Sequence, residues 1–517
     1  MEMFSTSTHA AVGLLALACV TLIASHLFSP LRSIPGPLTA RFTRLWFFYR
    51  VWQGGFEKEN TALHRKHGDV VRYAPGHYSF NSPEAVSAIY GKGKELDKSS
   101  WYEAWNAPGF KTLFTEPSIK VHGQLRRKFQ STYSMSSLLT YEAYADHCTA
   151  LLISKLEAIA KSHGRADMAL WLLCYAADTV AMISYSRRMG FLDQGADVDD
   201  FFKDLHGNLF YNTTMGIYAW IHPMIFNTTA FLARWGLIKG SPRMSLARFT
   251  TNVISKRRVE RAGGEKGQTI PKEADDETAP KDFLSKFLDS NERDPSQFTE
   301  RDIIVGLIGN VIAGADTTAS ALSAILYQLL KNPTVLSKLR DEIDTNARAG
   351  RLSVPPTFKE VQSMPYLQAI IQEAQRLHPA AGLPLQRVVP EGGADIAGYT
   401  FPAGTVVGVN PFVLHSNSRI FGDDATSFRP ERWLDPDKEK VSYMQRHNMA
   451  FGLGSRTCIG RNISMLEMSK LVPELVRNFD FELDDELKGE CAGWKWINYW
   501  LMRPVSLPVK IRMRVVQ

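Results

Sequence analysis

The chain has 517 residues, 44% of them hydrophobic and 11% aromatic, which is enough for one large packed domain or for two or three of average size. Its net charge of +7 raises the question of a nucleic-acid partner, but no basic run with interleaved aromatic residues occurs, which argues against that class. The five cysteines are far apart and include no Cys-x-x-Cys pair, which argues against a disulfide framework and a zinc site.

The first predicted element is an apolar stretch, Ala10–Phe28, which is long enough to span or nearly span a bilayer. Arginines follow it, whereas Glu2 is the only charged side chain before it, so the positive-inside rule places the rest of the chain in the cytosol. We predict a membrane anchor over residues 1–32, a stiff connector at Ser33–Pro37, and one domain over residues 33–517. A cleavable signal peptide is the alternative, and the lack of a basic segment before the apolar stretch disfavours it.

Helical periodicity dominates the rest of the chain, and short alternating runs predict small sheets between the helices. The predicted helices are Leu138–His163, Met168–Ser186, Ser245–Arg261, Arg301–Leu330, Pro333–Ala347 and Ser363–His378. The predicted strands are Val70–Tyr73, Tyr399–Phe401, Val406–Asn410 and Val505–Val515, and Ala262–Lys281 is predicted to be a solvated loop. These patterns predict one mainly helical domain with a small β portion.

The first polar motif in chain order is His122-Gly-Gln-Leu-Arg126. Residues four apart lie on the same face of a helix, so the imidazole of His122 and the guanidinium of Arg126 can reach the same anionic group. An ordinary surface histidine is the alternative.

A polar segment of small residues, Ala313–Thr318, interrupts the otherwise apolar helix predicted at Arg301–Leu330. Gly314 costs this helix about 1 kcal/mol relative to alanine. The hydroxyls of Thr317 and Thr318 can compete for backbone carbonyls and open the helix locally. Such a cost in a buried helix suggests a ligand close to the backbone, and a chance polar stripe is the alternative.

A carboxylate and a guanidinium, Glu373 and Arg376, lie three residues apart on one face of a predicted helix and can pair. Alone this is a weak signal, because any exposed helix can carry such a pair. The later segment Phe428–Trp433 contributes a second guanidinium, Arg432, ahead of the glycine-rich segment that follows.

Residues 451–460 read Phe-Gly-Leu-Gly-Ser-Arg-Thr-Cys-Ile-Gly and precede an amphipathic run. They predict a tight turn that presents Cys458 at a helix N-terminus, where N–H groups and the helix dipole favour an ionised sulfur. Phe451 can pack over the sulfur, Arg456 can meet an anionic group, and Gly460 lets the backbone lie close under a flat ligand. A dinucleotide-binding fingerprint is excluded because threonine occupies the third glycine position.

The pattern Phe-x-x-Gly-x-Arg-x-Cys-x-Gly is complete here and resembles the haem-binding loop of the cytochrome P450 family. The other motifs occur in the order typical of that family and extend the resemblance over most of the chain. The resemblance implies a triangular prism fold and a haem, iron protoporphyrin IX, whose iron has the thiolate of Cys458 as its axial ligand.

The resemblance also implies roles for the other motifs. Thr317 is then the residue that hydrogen-bonds dioxygen, and Asp316 is the acid that relays protons. Glu373, Arg376 and Arg432 form a structural triad behind the cysteine loop. Arg387, together with His122 and Arg126, binds the haem propionates; His122 stands where most members have tryptophan, although histidine is familiar in filamentous-fungal members.

By the family's chemistry, electrons come from NADPH through a separate NADPH–cytochrome P450 reductase, with cytochrome b5 as a further candidate donor. Residues 10–28 would hold the protein in the endoplasmic reticulum membrane with the catalytic domain in the cytosol. The segments expected to form the substrate pocket are rich in aromatic residues, which suggests a bulky apolar substrate. They are Trp101–Ile119, Leu205–Phe231, Gly306–Thr318, Ala380–Leu385 and Trp494–Trp500.

The sequence around His122 and the segments Gly393–Val409 and Phe428–Trp433 resemble those of fungal secondary-metabolism members of the family, including the pisatin demethylase group. Hydroxylation, epoxidation or demethylation of a terpenoid, polyketide or alkaloid intermediate is therefore expected, without a choice among them. Two alternatives stay open, an oxygen-independent isomerase or dehydratase and a non-catalytic haem-binding protein. Both are disfavoured because neither needs the pair Asp316-Thr317.

Overall fold

The computed structural model describes residues 29–162, 164–237, 243–263, 281–487 and 493–515. The predicted anchor Ala10–Phe28 lies outside these residues, as does nearly all of the predicted loop Ala262–Lys281. The described chain is mainly helical with small sheets, which confirms the predicted balance of elements.

The helices account for most of the described chain. They are α1 Leu45–Trp52, α2 Phe56–His67, α3 Pro83–Tyr90, α4 Ile119–Phe129, α5 Met135–Thr140, α6 Glu142–Ser162, α7 Met168–Tyr185, α8 Phe191–Gln194, α9 Phe201–Gly216, α10 His222–Arg234, α11 Arg243–Arg261, α12 Phe283–Arg293, α13 Glu300–Lys331, α14 Pro333–Arg348, α15 Phe358–Gln362, α16 Pro365–Leu377, α17 Pro411–Leu414, α18 Ser418–Phe421, α19 Lys438–His447 and α20 Arg461–Asn478.

The strands are short and form four small sheets. They are β1 Val70–Ala74, β2 His77–Phe80, β3 Asp97–Lys98, β4 Arg165–Asp167, β5 Arg387–Val388, β6 Ala394–Ile396, β7 Tyr399–Phe401, β8 Val406–Val409, β9 Phe479–Leu483, β10 Trp496–Tyr499, β11 Leu501–Pro504 and β12 Pro508–Met513. The largest sheet has the order β1-β2-β8-β5-β3, and the others are β4-β12-β9, β10-β11 and β6-β7.

The core is built around α7 and α13, which pack against each other. Nearly every side chain of α7 is buried. The N-terminus of α13 carries a capping box, in which the side chains of Thr299 and Asp302 each accept a hydrogen bond from the other's backbone N–H. Both helices are long and apolar enough to cross a membrane, but their burial in the packed core identifies them as core helices.

Some boundaries differ from the sequence-based predictions. The helix predicted at Leu138–His163 is two helices, because α5 ends at Thr140 and the buried side chain of Tyr141 lies at the junction with α6. The helix predicted from Ser363 starts at Pro365, which suits the first helical position because proline has no N–H to satisfy. The last predicted strand, from Val505, starts at Pro508.

Candidate active site

The cysteine loop folds as the tight turn that the sequence predicts. Gly454 has φ +66°, in the left-handed region, and a Cβ there would lie 2.6 Å from the carbonyl oxygen of Tyr90. The backbone N–H of Cys458 donates to the carbonyl of Phe451 at 2.8 Å, which closes the loop. Helix α20 begins three residues later, at Arg461.

Cys458 differs from the other described cysteines, Cys148 and Cys174, because its side chain is exposed and theirs are buried. The N–H groups of Gly460 and Arg461 lower the pKa of its thiol, as expected at a helix start. Desolvation by surrounding protein atoms outweighs them, so the net pKa lies above its ordinary value. The N–H groups at the helix start thus favour the ionised sulfur, as the sequence predicts, and a metal ion bound to the sulfur would favour it further.

Five basic side chains form a cluster near this loop: Lys98, His122, Arg126, Arg387 and Arg456. Burial, with repulsion by neighbouring cations, lowers the pKa of His122 to about 3 and that of Arg456 to about 10. The pKa of Lys98 is also lowered, by burial and by Arg387 and Arg456. The basic cluster has an excess of positive charge, which favours an anionic ligand.

The basic cluster is held by main-chain carbonyls. Arg126 Nη1 donates to Thr457 at 2.7 Å, Arg387 Nη1 to Gln386 at 2.8 Å, Arg456 Nη1 to Glu116 at 2.8 Å, and Lys98 Nζ to Phe114. His122 is 4% exposed, and its Nδ1 has no hydrogen-bond partner within the described residues. A carboxylate of a ligand would supply both the missing partner and the missing negative charge.

The sequence analysis missed Lys98. It lies on β3, directly opposite Arg387 of β5 in an antiparallel pair. Like charges that face each other across strands are destabilising, so this pair is consistent with a shared anion. The rings of Tyr102 and Phe114 lie 4.4 and 4.5 Å from Lys98 Nζ. A two-residue strand carries no periodic signal, and only the fold brings Lys98 to the site.

One strip of the core helix α13 is partly accessible, whereas the residues around it are buried or half-buried. It consists of Gly309, Ala313 and Thr317, four residues apart on one face. Thr317 Oγ1 donates to the carbonyl of Ala313 at 2.7 Å, as predicted, but Thr318 Oγ1 donates to Ser464 Oγ of α20 at 3.1 Å. The expected local opening does not occur, because α13 is continuous from Glu300 to Lys331.

Asp316, the other residue of the predicted pair, points away from that strip and is buried. Its Oδ1 lies 3.1 Å from Nε2 of His206 on α9. His206 is a second residue that the sequence analysis missed. A lone histidine on a helix gives no sign of its partner until the fold brings α9 next to α13.

The predicted triad is assembled and completely buried. Arg376 Nε and Nη2 each donate to Glu373 at 2.8 Å, and Arg432 Nε donates to Glu373 Oε1 at 2.8 Å. Trp433 Nε1 adds a bond to Glu373 Oε2 at 2.9 Å. The two guanidiniums and the indole thus satisfy a carboxylate that is 0% exposed.

The triad is connected to the cysteine loop through His415. Arg376 Nη1 donates to the carbonyl of His415, and Nδ1 of His415 lies 2.8 Å from the carbonyl oxygen of Arg376. Nε2 of His415 accepts the backbone N–H of Met449 at 2.8 Å, two residues before Phe451. This chain of contacts fixes the start of the loop relative to α16.

Aromatic side chains from two of the predicted pocket segments, Trp101–Ile119 and Trp494–Trp500, meet. The rings of Trp105 and Trp500 are 5.0 Å apart, and those of Phe114 and Trp500 are 5.1 Å apart. Trp101 Nε1 donates to the carbonyl of Thr213, so α9 lies beside these rings. We refer to Trp101, Trp105, Phe114 and Trp500 as the aromatic wall.

Comparisons with known proteins agree with this geometry. The sequence model of the cytochrome P450 family matches residues 35–492 of the chain. The chain therefore belongs to the cytochrome P450 family and is a P450 monooxygenase, an enzyme of a family that carries haem on a cysteine thiolate.

Three similar proteins come from fungi. The chain is 38% identical to a pisatin demethylase of Fusarium vanettenii, over 95% of this chain and 92% of the relative. It is 34% identical to a cytochrome P450 monooxygenase of Aspergillus terreus, over 90% of this chain and 92% of that relative. A third relative, cytochrome P450 monooxygenase gsfF of Penicillium aethiopicum, is 33% identical over 94% of each chain.

The residues present fit a haem. Cys458 offers an accessible sulfur, and a Cβ at Gly460 would lie 3.9 Å from it. The basic cluster provides donors without carboxylate partners for two propionates, and the unpartnered Nδ1 of His122 is one of them. The accessible strip on α13 is made of small side chains, which permits close approach of a large planar group.

Proposed function

We propose that this chain is a membrane-anchored haem-thiolate monooxygenase that oxidises an aromatic, largely apolar natural-product intermediate, with oxidative demethylation among its reactions. The observation that carries the proposal is Cys458, an accessible cysteine just before α20, next to a basic cluster that forms no ion pair with a carboxylate among the described residues. Membership of the cytochrome P450 family supports the proposal.

In this proposal the thiolate of Cys458 would bind the haem iron. When bound, haem with a thiolate ligand supplies the activation of dioxygen and favours cleavage of the O–O bond. Phe451 and Gly460 shape the surroundings of the sulfur. Its backbone neighbours donate N–H groups to it, which stabilises the negative charge.

The basic cluster is proposed to hold the two propionates. Arg126, Arg387 and Arg456 are fixed by carbonyls, so their remaining N–H groups are oriented in advance. Burial and the neighbouring cations lower the pKa of His122, so its imidazole is neutral before the propionates bind, and its unpartnered Nδ1 can donate to one of them. Lys98 joins this set as a fourth cation.

Thr317 and Asp316 are proposed to act in proton delivery. The hydroxyl of Thr317 lies on the accessible strip and can hydrogen-bond a ligand while it donates to Ala313. Asp316 is the neighbouring acid, and its carboxylate is buried away from bulk water. The triad of Glu373, Arg376 and Arg432 has no part in bond-making and serves the assembly of the loop.

The membrane and the electron donor are also proposals. Residues 10–28 are the anchor, and exposed apolar side chains on and beside α10 and on α1 offer a second contact with lipid: Trp220, Met224, Phe231, Trp235, Leu45 and Trp52. Arg44, next to α1, donates to the carbonyl of Ile217, which places these two groups of apolar side chains on adjacent elements.

The electron donor is expected to bind near the cysteine loop. Arg127 and Arg461 are exposed there and suit an acidic reductase that transfers electrons from NADPH. Cytochrome b5 would use the same face.

The aromatic wall supports an aromatic substrate, because offset and edge contacts between rings are favourable. The similarity to a pisatin demethylase makes pisatin the first probe. The test uses microsomes that contain the chain, NADPH–cytochrome P450 reductase and NADPH, with pisatin and then other methoxylated aromatic compounds. Products are identified by mass spectrometry.

We expect a product that has lost a methyl group or gained one oxygen atom, and its formation should need both NADPH and dioxygen. With isotopically labelled dioxygen, an inserted oxygen atom should carry the label. A product that forms without dioxygen would contradict the monooxygenase proposal and favour an isomerase or dehydratase. Cys458→Ser is the matched inactive control.

A further inference from the structure

The contact between His206 and Asp316 joins two helices on the side of α13 next to Thr317. The distance from His206 Nε2 to Asp316 Oδ1 is 3.1 Å. The side chain of Asp316 is 2% exposed, whereas that of His206 is 18% exposed. The imidazole therefore lies between a buried carboxylate and solvent.

The surroundings of Asp316 offer no second donor in hydrogen-bond contact. Its Oδ2 is buried and has no hydrogen-bond partner among the residues the structure describes. Arg503 of β11 is close enough for the Asp316 charge to raise its pKa, although burial lowers that pKa more strongly. Tyr499 of β10 acts on Arg503 in the same direction as Asp316. Among the described residues, His206 of α9 thus contacts this carboxylate directly, Arg503 of β11 acts on it through its charge, and Tyr499 of β10 acts on Arg503.

These groups differ in what they can do with a proton. A guanidinium keeps its protons at every pH at which proteins fold, so Arg503 can supply only charge. An imidazole takes up and releases a proton near neutral pH. Since Asp316 is cut off from water and His206 is not, the imidazole is the exchangeable group in contact with the carboxylate.

We propose that His206 supplies protons from solvent to Asp316, and so acts through Asp316 in the oxygen chemistry of the proposed monooxygenase. The proton passes from Nε2 of the imidazolium to Oδ1 of the carboxylate, and the neutral imidazole regains a proton from solvent. No electron moves in this transfer. The protons consumed when dioxygen is reduced with electrons from NADPH are thereby replaced. His206 is a positioning and proton-supplying residue, and it does not touch the substrate.

The experiment compares His206→Gln, Asp316→Asn and the double variant with the wild type. Glutamine keeps a donor toward Asp316 but cannot carry a proton. Lys203→Gln is the matched control, because Lys203 lies one turn away on α9, is exposed, and pairs with Asp200 instead. The full-length haem-loaded proteins are mixed with reductase, NADPH and dioxygen, without substrate. The hydrogen peroxide released per NADPH is measured between about pH 6 and pH 8, in water and in deuterium oxide.

We expect His206→Gln to raise the peroxide fraction at least twofold, to flatten its dependence on pH, and to change the solvent isotope effect. The double variant should match Asp316→Asn, since both residues act in one path. Lys203→Gln should behave as the wild type. Haem content and the thermal midpoint of His206→Gln should stay near wild-type values.

A peroxide fraction and pH profile of His206→Gln equal to those of the wild type would overturn the inference. So would additive effects in the double variant, or a change confined to haem content and the thermal midpoint, which is the result of a purely structural contact. The inference rests on the proposed function, and the two failures are distinguishable. If the wild type itself consumes no NADPH or dioxygen with reductase, the proposed function fails first.

Discussion

Two adjacent threonines of α13 have hydroxyls with different surroundings. Thr317 lies on the accessible strip and donates to Ala313, whereas Thr318 is buried and donates to Ser464 of α20. The sequence presents them as equivalent, because both follow Asp316 in a run of small residues. Only the rotation of the helix in the fold separates them.

Thr317→Ala should therefore keep haem and the fold but lower the product formed per NADPH several-fold, with the difference released as peroxide. The reason is the loss of a hydroxyl that is placed to position a proton donor. Thr318→Ala is the matched control and should leave this ratio unchanged, at the cost of a bond to α20 worth about 1 kcal/mol. Equal coupling of NADPH to product in wild type and Thr317→Ala would rule out the assigned role.

The tight turn of the cysteine loop and the pairing of Glu373 with Arg376 could be predicted from the sequence, because both depend on local structure, whereas the place of Arg432 in the triad came from the family resemblance. Gly454 must adopt positive φ, and Glu373 and Arg376 are one helical turn apart. Lys98 and His206 could not be predicted, because their partners are Arg387 and Asp316, distant in sequence and brought close only by strand pairing and helix packing.

At the scale of elements, α16 holds the segment ahead of the cysteine loop through a buried network. Glu373 accepts from both arginines of the triad and from Trp433, and Arg376 reaches His415. Removal of the carboxylate would leave Arg376 buried without a counter-charge and Arg432 with Asp424 as its remaining carboxylate partner, which costs about 3–5 kcal/mol.

Glu373→Gln should consequently lower the yield of haem-loaded protein strongly, measured as the ratio of haem absorbance to total protein. Glu431→Gln is the matched control, because Glu431 lies on the same short segment as Arg432 but its pair with Lys338 is exposed. Exposed pairs contribute about 0–1 kcal/mol, so that variant should load haem normally. Equal loading of both variants would contradict the assembly role of the triad.

Element boundaries show where sequence patterns stop being informative. Periodicity alone predicts one helix across residues 138–163, although Tyr141 is packed into the core at a break. The predicted start at Val505 continues the alternation of β12, but the strand begins only where Pro508 pairs with Asp167 of β4. Tertiary packing decides both boundaries, and that packing cannot be read from the periodicity of a single sequence.

For the whole molecule, four buried histidines outside the basic cluster predict a loss of stability in weak acid. The pKa values of His64, His77 and His378 are lowered to about 4 and that of His415 to about 3, mainly by burial. The ordinary pKa of histidine is 6.5, so between pH 6.5 and the lowered folded-state pKa the unfolded chain binds more protons than the folded chain. The stability contributed by each neutral histidine is complete above pH 6.5 and is lost as the pH falls toward the folded-state pKa.

From about pH 7.5 to about pH 5.5 the free energy of unfolding should fall by about 1.4 kcal/mol for each of these histidines, or about 5 kcal/mol for the four. Urea denaturation at the two pH values, followed by tryptophan fluorescence, measures the fall. His64→Gln removes one titrating group and should reduce it by about 1.4 kcal/mol. An unchanged fall in that variant would show that His64 does not titrate on unfolding.

The membrane contact is also a property of the whole molecule. Removal of residues 1–32 should weaken retention on microsomes and leave the haem spectrum intact, because every proposed haem contact lies downstream. Phe231→Ser with Trp235→Ser in the truncated protein should weaken retention further, since both side chains are well exposed. Val354→Ser, at another exposed apolar position, is the control. Full retention after truncation would contradict the anchor at residues 10–28.

The measurement that tests the central claim most directly is the absorbance spectrum of the reduced protein with carbon monoxide. Ligation of the haem iron by the Cys458 thiolate predicts the red-shifted Soret band of a haem-thiolate protein in the wild type and its loss in Cys458→Ser. Cys148→Ser and Cys174→Ser, which replace the two buried thiols, should keep the band. An unchanged red-shifted band in Cys458→Ser would contradict the assignment of Cys458 as the haem ligand.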